Sequence, residues 1–208
     1  MPRGSGELTQ ARREEIVSAC ARLYQTMSFK DITMNRIAAE TTFTRTSIYN
    51  YFQTKEEIFL ALMEREYRLW VQELDEMRRM HDALSVEAFA GQMGRTLEHR
   101  PMLLKLLSMN HFDMEANSRL ERLTEFKGAY GASIEAVRRC LEKFFPQMDA
   151  RARQGFLYAF LPFLFGMYPY TTVTENQRQA MADAGLDLSI CPYTIWCSTA
   201  CEHCFPNH

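Results

Sequence analysis

Ile16, Ala19, Cys20, Leu23, Tyr24 and Met27 recur at spacings of three and four, the pattern of a helix with one buried face. The same rhythm runs through nearly the whole chain. Thr9 stands where a cap for this first helix is expected. After "SFKDIT", Thr33 is placed to cap a short second helix, Met34 to about Thr41, that buries Ile37 and Ala38. Thr44 caps the next helix. Thr54 forms a capping box with Glu57, and the helix behind it runs to about Met80. Ser118 with Glu121 and Thr174 with Gln177 repeat the box. Pro101 suits a first helical turn, Asp149 can cap the helix holding Phe156 to Phe165, and Gly185 reads as a C-terminal stop. No stretch alternates as a strand does, and there is no internal repeat. The expected fold is all-α: an N-terminal three-helix head on a larger helical body, roughly nine to ten helices in all. The expected split is 1–55 and 56–208, with the fourth helix starting in the head and running into the body.

Composition narrows the class. Apolar residues make up 47% and charged residues 24%, as in an ordinary soluble protein. The longest apolar run, Phe156 to Tyr170, contains two prolines and is too short for a comfortable membrane span, so a buried helix is expected. The first residues carry no apolar signal region, and a cytoplasmic location is expected. The net charge of −2 is unevenly spread. Residues 1–55 hold eight basic and five acidic side chains, leaving the head at +3 and the body at −5. A basic head on an acidic body suits a polyanion partner for the head alone.

The stretch "TRTSIYNYFQTKEE", residues 44–57, sharpens that expectation. At 100° per residue, Ile48, Tyr51 and Phe52 fall on one side of a short helix with the capping Thr44. Arg45, Thr46, Tyr49 and Asn50 fall on the other. Two short helices joined by a tight turn make a helix-turn-helix, whose second helix enters the major groove. Arg45 can fork onto a guanine edge and Asn50 can pair with adenine. Thr46 and Ser47 can reach a base or a phosphate, and the Tyr49 phenol suits a phosphate. Lys55 and Thr33, each at a helix start, can meet an anion together with free backbone N–H groups.

The residues "ITMNRIAAE…FTRTSIYNYFQTKEEIFLAL" carry a family resemblance. Over roughly residues 10–62 the chain resembles the N-terminal domain of the TetR/AcrR transcriptional regulators. That resemblance implies a homodimeric repressor, an inverted-repeat DNA operator as partner, and a small-molecule inducer held in the body. No cofactor is expected. The resemblance also implies operator contacts from the set Thr33, Thr44, Arg45, Thr46, Ser47, Tyr49, Asn50, Tyr51 and Lys55. Two positions depart from the family pattern: Thr42 and Ser28 stand where glycine is common. Threonine at positive φ is sterically costly, so the turn before the recognition helix either avoids that conformation or enters at a different angle.

In the body, Met93, Met109, Phe112, Phe126 and Tyr130 are candidates to surround an apolar ligand, with His111 and Asp113 as polar handles; ordinary core packing is the competing reading. The family dimerises through its last two long helices. This implies an interface containing Phe156, Phe160, Phe163, Leu164, Trp196, Cys197 and Cys201, with a kink at Pro162. Cys20 and Cys140 lie on apolar helical faces and are expected to be buried. Cys191, Cys197, Cys201 and Cys204 crowd the tail with His203 and His208. A zinc site and a redox pair are both open there. The i, i+4, i+7 spacing of 197, 201 and 204 favours packing. The histidines at 81, 99 and 111 are scattered singly, and no nucleophile–base–orienter grouping is present, so an enzyme is not expected.

Overall fold

The computed structural model describes residues 3–109, 111–186, Thr199 and Phe205. Those residues contain ten helices and no strand. They are α1 Arg3–Thr26, α2 Met34–Ala39, α3 Arg45–Ile48, α4 Lys55–Met80, α5 Val86–Glu98, α6 Pro101–Leu107, α7 His111–Ala116, α8 Leu120–Phe144, α9 Ala150–Thr171 and α10 Glu175–Asp183. Among the described residues no single helix is long and apolar enough to cross a membrane. The chain forms two compact units: Met1–Tyr67 with Asn110–Tyr130, and Arg68–Met109 with Gly131–His208. Helices α4 and α8 contribute residues to both.

In the first unit, α1 buries Ile16, Ala19, Cys20 and Tyr24, as the spacing predicts. Ile32, Ile37, Ile48, Phe52, Ile58 and Phe59 are buried too. Phe59 makes T-shaped contacts with Tyr24 and Phe29 at centroid separations of 5.1 and 4.8 Å, a favoured aromatic geometry. Tyr67 packs against Phe126 and Tyr130 at 6.2 and 5.6 Å. The start of α1 differs from expectation. The helix begins at Arg3, so Thr9 is interior and does not cap it. Leu8 in this extension is exposed, which is why no burial pattern marked it in the sequence.

The second unit is built on Phe89. Its ring meets Phe144, Phe145, Phe156 and Phe205 at 5.2–6.3 Å. Helices α6 and α9 pack against one another, bringing the leucines of "PMLLKLL" onto the apolar α9. Trp70 is fully buried, and its indole N–H donates to Thr96 Oγ1 at 3.0 Å; that hydroxyl donates in turn to Met93 O at 2.8 Å. The expected caps at Asp149 and Thr174 are present, the latter as a complete capping box. Gly185 ends α10 at φ +69°, with Leu186 N–H on Met181 O and Gly185 N–H on Ala182 O, a Schellman closure that needs a left-handed residue. Cys20 and Cys140 are buried free thiols, and burial pushes the pKa of each up to about 12.

Helix α9 corrects one expectation. Phe156, Phe160 and Leu164, expected at an interface between copies, are buried in their own unit. A helix apolar all round can spend one face on its own core, and periodicity does not say which. Phe163 is half-buried, and the outward side carries Tyr158, Pro162 and Tyr170. Pro162 and Pro169 lie inside a single continuous helix. Trp196, Cys197 and Cys201, with the rest of the tail cysteines, lie outside the described residues.

The Trp70–Thr96 pair gives a direct test of the second core. Thr96→Val keeps the shape but strands a buried indole N–H, so it should cost about 1–3 kcal/mol in urea unfolding. An unchanged midpoint would show that the hydrogen bond contributes nothing.

Candidate nucleic-acid interface

Two threonines set the helix-turn-helix. Thr33 Oγ1 accepts from Arg36 N–H at 3.3 Å and starts α2; Thr44 Oγ1 accepts from Ser47 N–H at 3.3 Å and starts α3. The α-helical part of α3 is one turn, shorter than the 44–52 span the sequence predicts. Asn50 N–H on Ser47 O, and Tyr51 and Phe52 N–H on Ile48 O, carry the turn onward. On the inner side of the wheel Ile48 and Phe52 are fully buried, Tyr51 is half-buried and the capping Thr44 is exposed, while Arg45, Thr46, Tyr49 and Asn50 on the other side are exposed as expected. Thr33 is exposed as well. Ser47 is half-buried, and its hydroxyl lies 3.0 Å from that of Thr44, which ties it to the cap.

The turn before α3 resolves the question raised by Thr42. Among the described residues no non-glycine residue has positive φ, so the turn avoids the left-handed conformation. A carboxylate holds it instead. Glu15 on α1 accepts from Thr42 N–H at 2.7 Å and from Thr42 Oγ1–H at 2.9 Å. The Thr42 backbone N–H, then its hydroxyl, hold the Glu15 pKa below the ordinary carboxylate value. At the other departure, the Ser28 hydroxyl donates to Asp31 Oδ2 at 2.6 Å and closes that turn in the same way. Arg22 Nη2 adds a bond to Glu40 O at 2.8 Å, pinning the end of α2 to α1.

The cations are arranged rather than free. Arg45 donates Nε and Nη2 to the Tyr49 hydroxyl at 3.3 and 3.0 Å and lies over the Tyr49 ring. Arg12 donates to Tyr51 Oη at 3.2 Å and lies over Phe43. Lys55 donates to Phe29 O at 2.9 Å and Ile32 O at 3.2 Å, with its ammonium 4.1 Å from the Phe29 ring centroid. Two of its three donors therefore secure the loop that leads into Thr33.

At the far end of the recognition turn sits Glu57, with no exposed surface. Its carboxylate accepts from Gln53 N–H at 2.8 Å, Arg119 N–H at 3.1 Å, Arg119 Nε at 2.6 Å and Arg119 Nη2 at 2.8 Å. Burial pushes the Glu57 pKa up; the Arg119 fork and the two backbone N–H groups together outweigh it, so the net shift is downward. The capping box expected of Thr54 is thus altered. Thr54 Oγ1 does accept from Glu57 N–H at 3.2 Å, but the Glu57 carboxylate reaches one residue further back, to Gln53, and across to Arg119. The box expected of Ser118 does not form, because its hydroxyl donates to Met114 O at 2.7 Å.

The whole chain carries the family's two parts. Residues 16–62 match the model for bacterial regulatory proteins of the tetR family, and residues 64–189 match the tetracyclin repressor-like C-terminal domain. The chain belongs to the TetR family. It is a helix-turn-helix DNA-binding transcriptional regulator. Solved TetR-like structures share the fold at low identity. The fatty acid degradation regulator FadR of Bacillus halodurans is 15% identical over 92% of this chain and 96% of its own, with a TM-score of 0.56. A TetR transcriptional regulator from Rhodococcus sp. RHA1 is 15% identical over 95% and 97%, also at 0.56. FadR of Bacillus subtilis, solved in complex with stearoyl-CoA, is 13% identical over 92% and 97%, at 0.56. No curated protein matches the sequence.

Of the expected TetR ligand-pocket residues, Phe126 and Tyr130 come together around Tyr67 in the first unit. Met93 is buried in the second unit, and Met109 is half-buried there. Phe112 is 87% exposed, so the expectation that it walls a pocket is corrected: α7 is a six-residue helix that buries only Met114. Glu15, Arg12 and Arg119 were missed in the sequence, as was the reach of Glu57 beyond its capping role. Each works through a partner at least 27 residues away, except for the Gln53 contact, and no local pattern announces such pairs.

Thr42→Gly restores the residue common in TetR proteins at this turn, yet here it should destabilise. Glycine deletes the hydroxyl bond to Glu15 and adds unfolded-chain freedom at a site that does not need positive φ, a loss of about 1 kcal/mol in urea unfolding. A gain in stability would contradict the turn geometry.

Proposed function

We propose that this protein is a ligand-responsive repressor: a homodimer that binds an inverted-repeat operator and is released by a small-molecule effector. The observation that carries the reading is the two-sided recognition turn. Ile48 and Phe52 are sealed into the core while Arg45, Thr46, Tyr49 and Asn50 face outward with donors and acceptors suited to a groove. Arg45 reads a base edge once it swings off Tyr49, and Asn50 reads a second. Thr33, Thr44, Thr46, Ser47, Tyr49 and Tyr51 set the register on phosphates. Lys55 has one donor left for a phosphate and serves first as the clamp on the Phe29–Ile32 loop.

Residues 1–55 form the reading head and 56–208 the effector and dimerisation part, in a cytoplasmic protein. Two heads must meet successive major grooves about 34 Å apart, so an effector that changes their spacing weakens both contacts. The outward side of α9, with Tyr158, Pro162 and Phe163, supports its use in pairing two copies. The effector is an apolar molecule taken near the aromatic cluster of Tyr67, Phe126 and Tyr130, and a TetR-fold neighbour holding stearoyl-CoA supports that class.

Selection of duplexes from a random library, followed by binding across a salt series, tests the reading. The selected sites should be inverted repeats, with affinity falling steeply as salt rises. Arg45→Ala should lose roughly 1–3 kcal/mol of discrimination per half-site while keeping its affinity for scrambled DNA. Equal losses on selected and scrambled duplexes would remove the base-reading role, and no salt-dependent binding at all would remove the DNA-binding one.

A further inference from the structure

We propose that Arg119 is a positioning residue for DNA recognition, acting on the recognition turn from outside the helix-turn-helix. It lies in the part of the chain matched by the C-terminal family model, yet belongs to the same compact unit as the head. The inference rests on the DNA-binding reading above and adds to it the group that fixes where the recognition turn ends.

The recognition element is one turn of α-helix, and a single turn does not hold its own direction. Its exit is held at three points by residues 117–119. Arg119 Nη2 donates to Tyr51 O at 3.3 Å. The guanidinium also forks onto Glu57, whose carboxylate takes the Gln53 N–H. The Thr54 hydroxyl donates to Asn117 O at 3.0 Å. Arg119 thus touches both the last carbonyl of the turn and the carboxylate that holds the next amide. The surrounding contacts anchor it. Arg13 on α1 bonds Glu125 on α8 at 3.0 Å while its guanidinium lies over Phe52, and Arg122 meets the same Glu125 oxygen at 2.5 Å. The first turns of α8 therefore grip α1 and the recognition turn at once.

The charge pair matters here for direction more than for stability. Glu57 is buried and Arg119 partly exposed, so removing Arg119 alone strands the Glu57 charge, whereas replacing both with apolar side chains can leave stability intact. An apolar pair can fill the space but cannot reach Tyr51 O or Gln53 N–H. The test is the double variant Glu57→Met/Arg119→Met, compared with wild type on a duplex the wild type selects from a random library and on a scrambled duplex. Thermal melting by circular dichroism confirms that each protein is folded. The expected result is a folded variant whose preference for the selected duplex falls about tenfold, the scale of one lost base contact, with scrambled-duplex affinity and salt slope unchanged. A wild-type preference in the folded double variant overturns the proposal. Equal losses on both duplexes with a shallower salt slope also overturn it, because they mark Arg119 as a phosphate ligand. If the double variant does not fold, Arg119→Lys keeps the charge but not the fork, and a wild-type preference there overturns the proposal just as well. A wild type that prefers no duplex removes the DNA-binding reading itself, and this inference with it.

Discussion

A carboxylate with no exposed surface is expensive unless it is fully paired, and Glu57 is fully paired. Four donors converge on it, three of them from Arg119. That single requirement joins the end of the recognition turn, the start of α4 and the start of α8. If Glu57 were neutral or absent, Gln53 and Arg119 would each lose a partner. The charge also sits at the N-terminal end of α8, where a negative group complements the helix dipole.

A second carboxylate does the corresponding work at the entrance. Glu15 holds the N–H and hydroxyl of Thr42, so the turn before α3 closes without glycine and without positive φ. The recognition turn is therefore suspended between two acids, neither of which belongs to it. This arrangement suits a head that must be rigid where it reads DNA. It also leaves the outward side chains free of structural duty, apart from the mutual packing of Arg45 and Tyr49 and the tie of Ser47 to Thr44.

What was legible in the sequence follows one rule. Features set by neighbours within a turn or two could be read. Thr33, Thr44, Asp149 and Thr174 cap helices because each side chain bonds an amide three residues on. The buried faces of α1 and α3 follow from periodicity, and the family pattern was legible over roughly residues 10–62. Features set across the fold could not be read. Glu57 and Arg119 are 62 residues apart, and either alone resembles a surface charge. The Ser118 hydroxyl turns back to Met114 O instead of capping α8. On α9, the spacing marked Phe156, Phe160 and Leu164 as buried, but burial against the same chain and burial against a second copy leave the same pattern.

The account stands on Glu57 being an ionised, buried hub, and its ionisation can be followed directly. Nuclear magnetic resonance of the side-chain carboxyl carbon across an acid titration reports it residue by residue. Glu57 should remain ionised through the range where an ordinary glutamate, with a pKa of about 4.3, takes up its proton. It should also titrate higher in Arg119→Met, where burial acts with less to oppose it. A wild-type Glu57 that protonates at or above the ordinary value would contradict the claim that Arg119 and the two amides hold it charged.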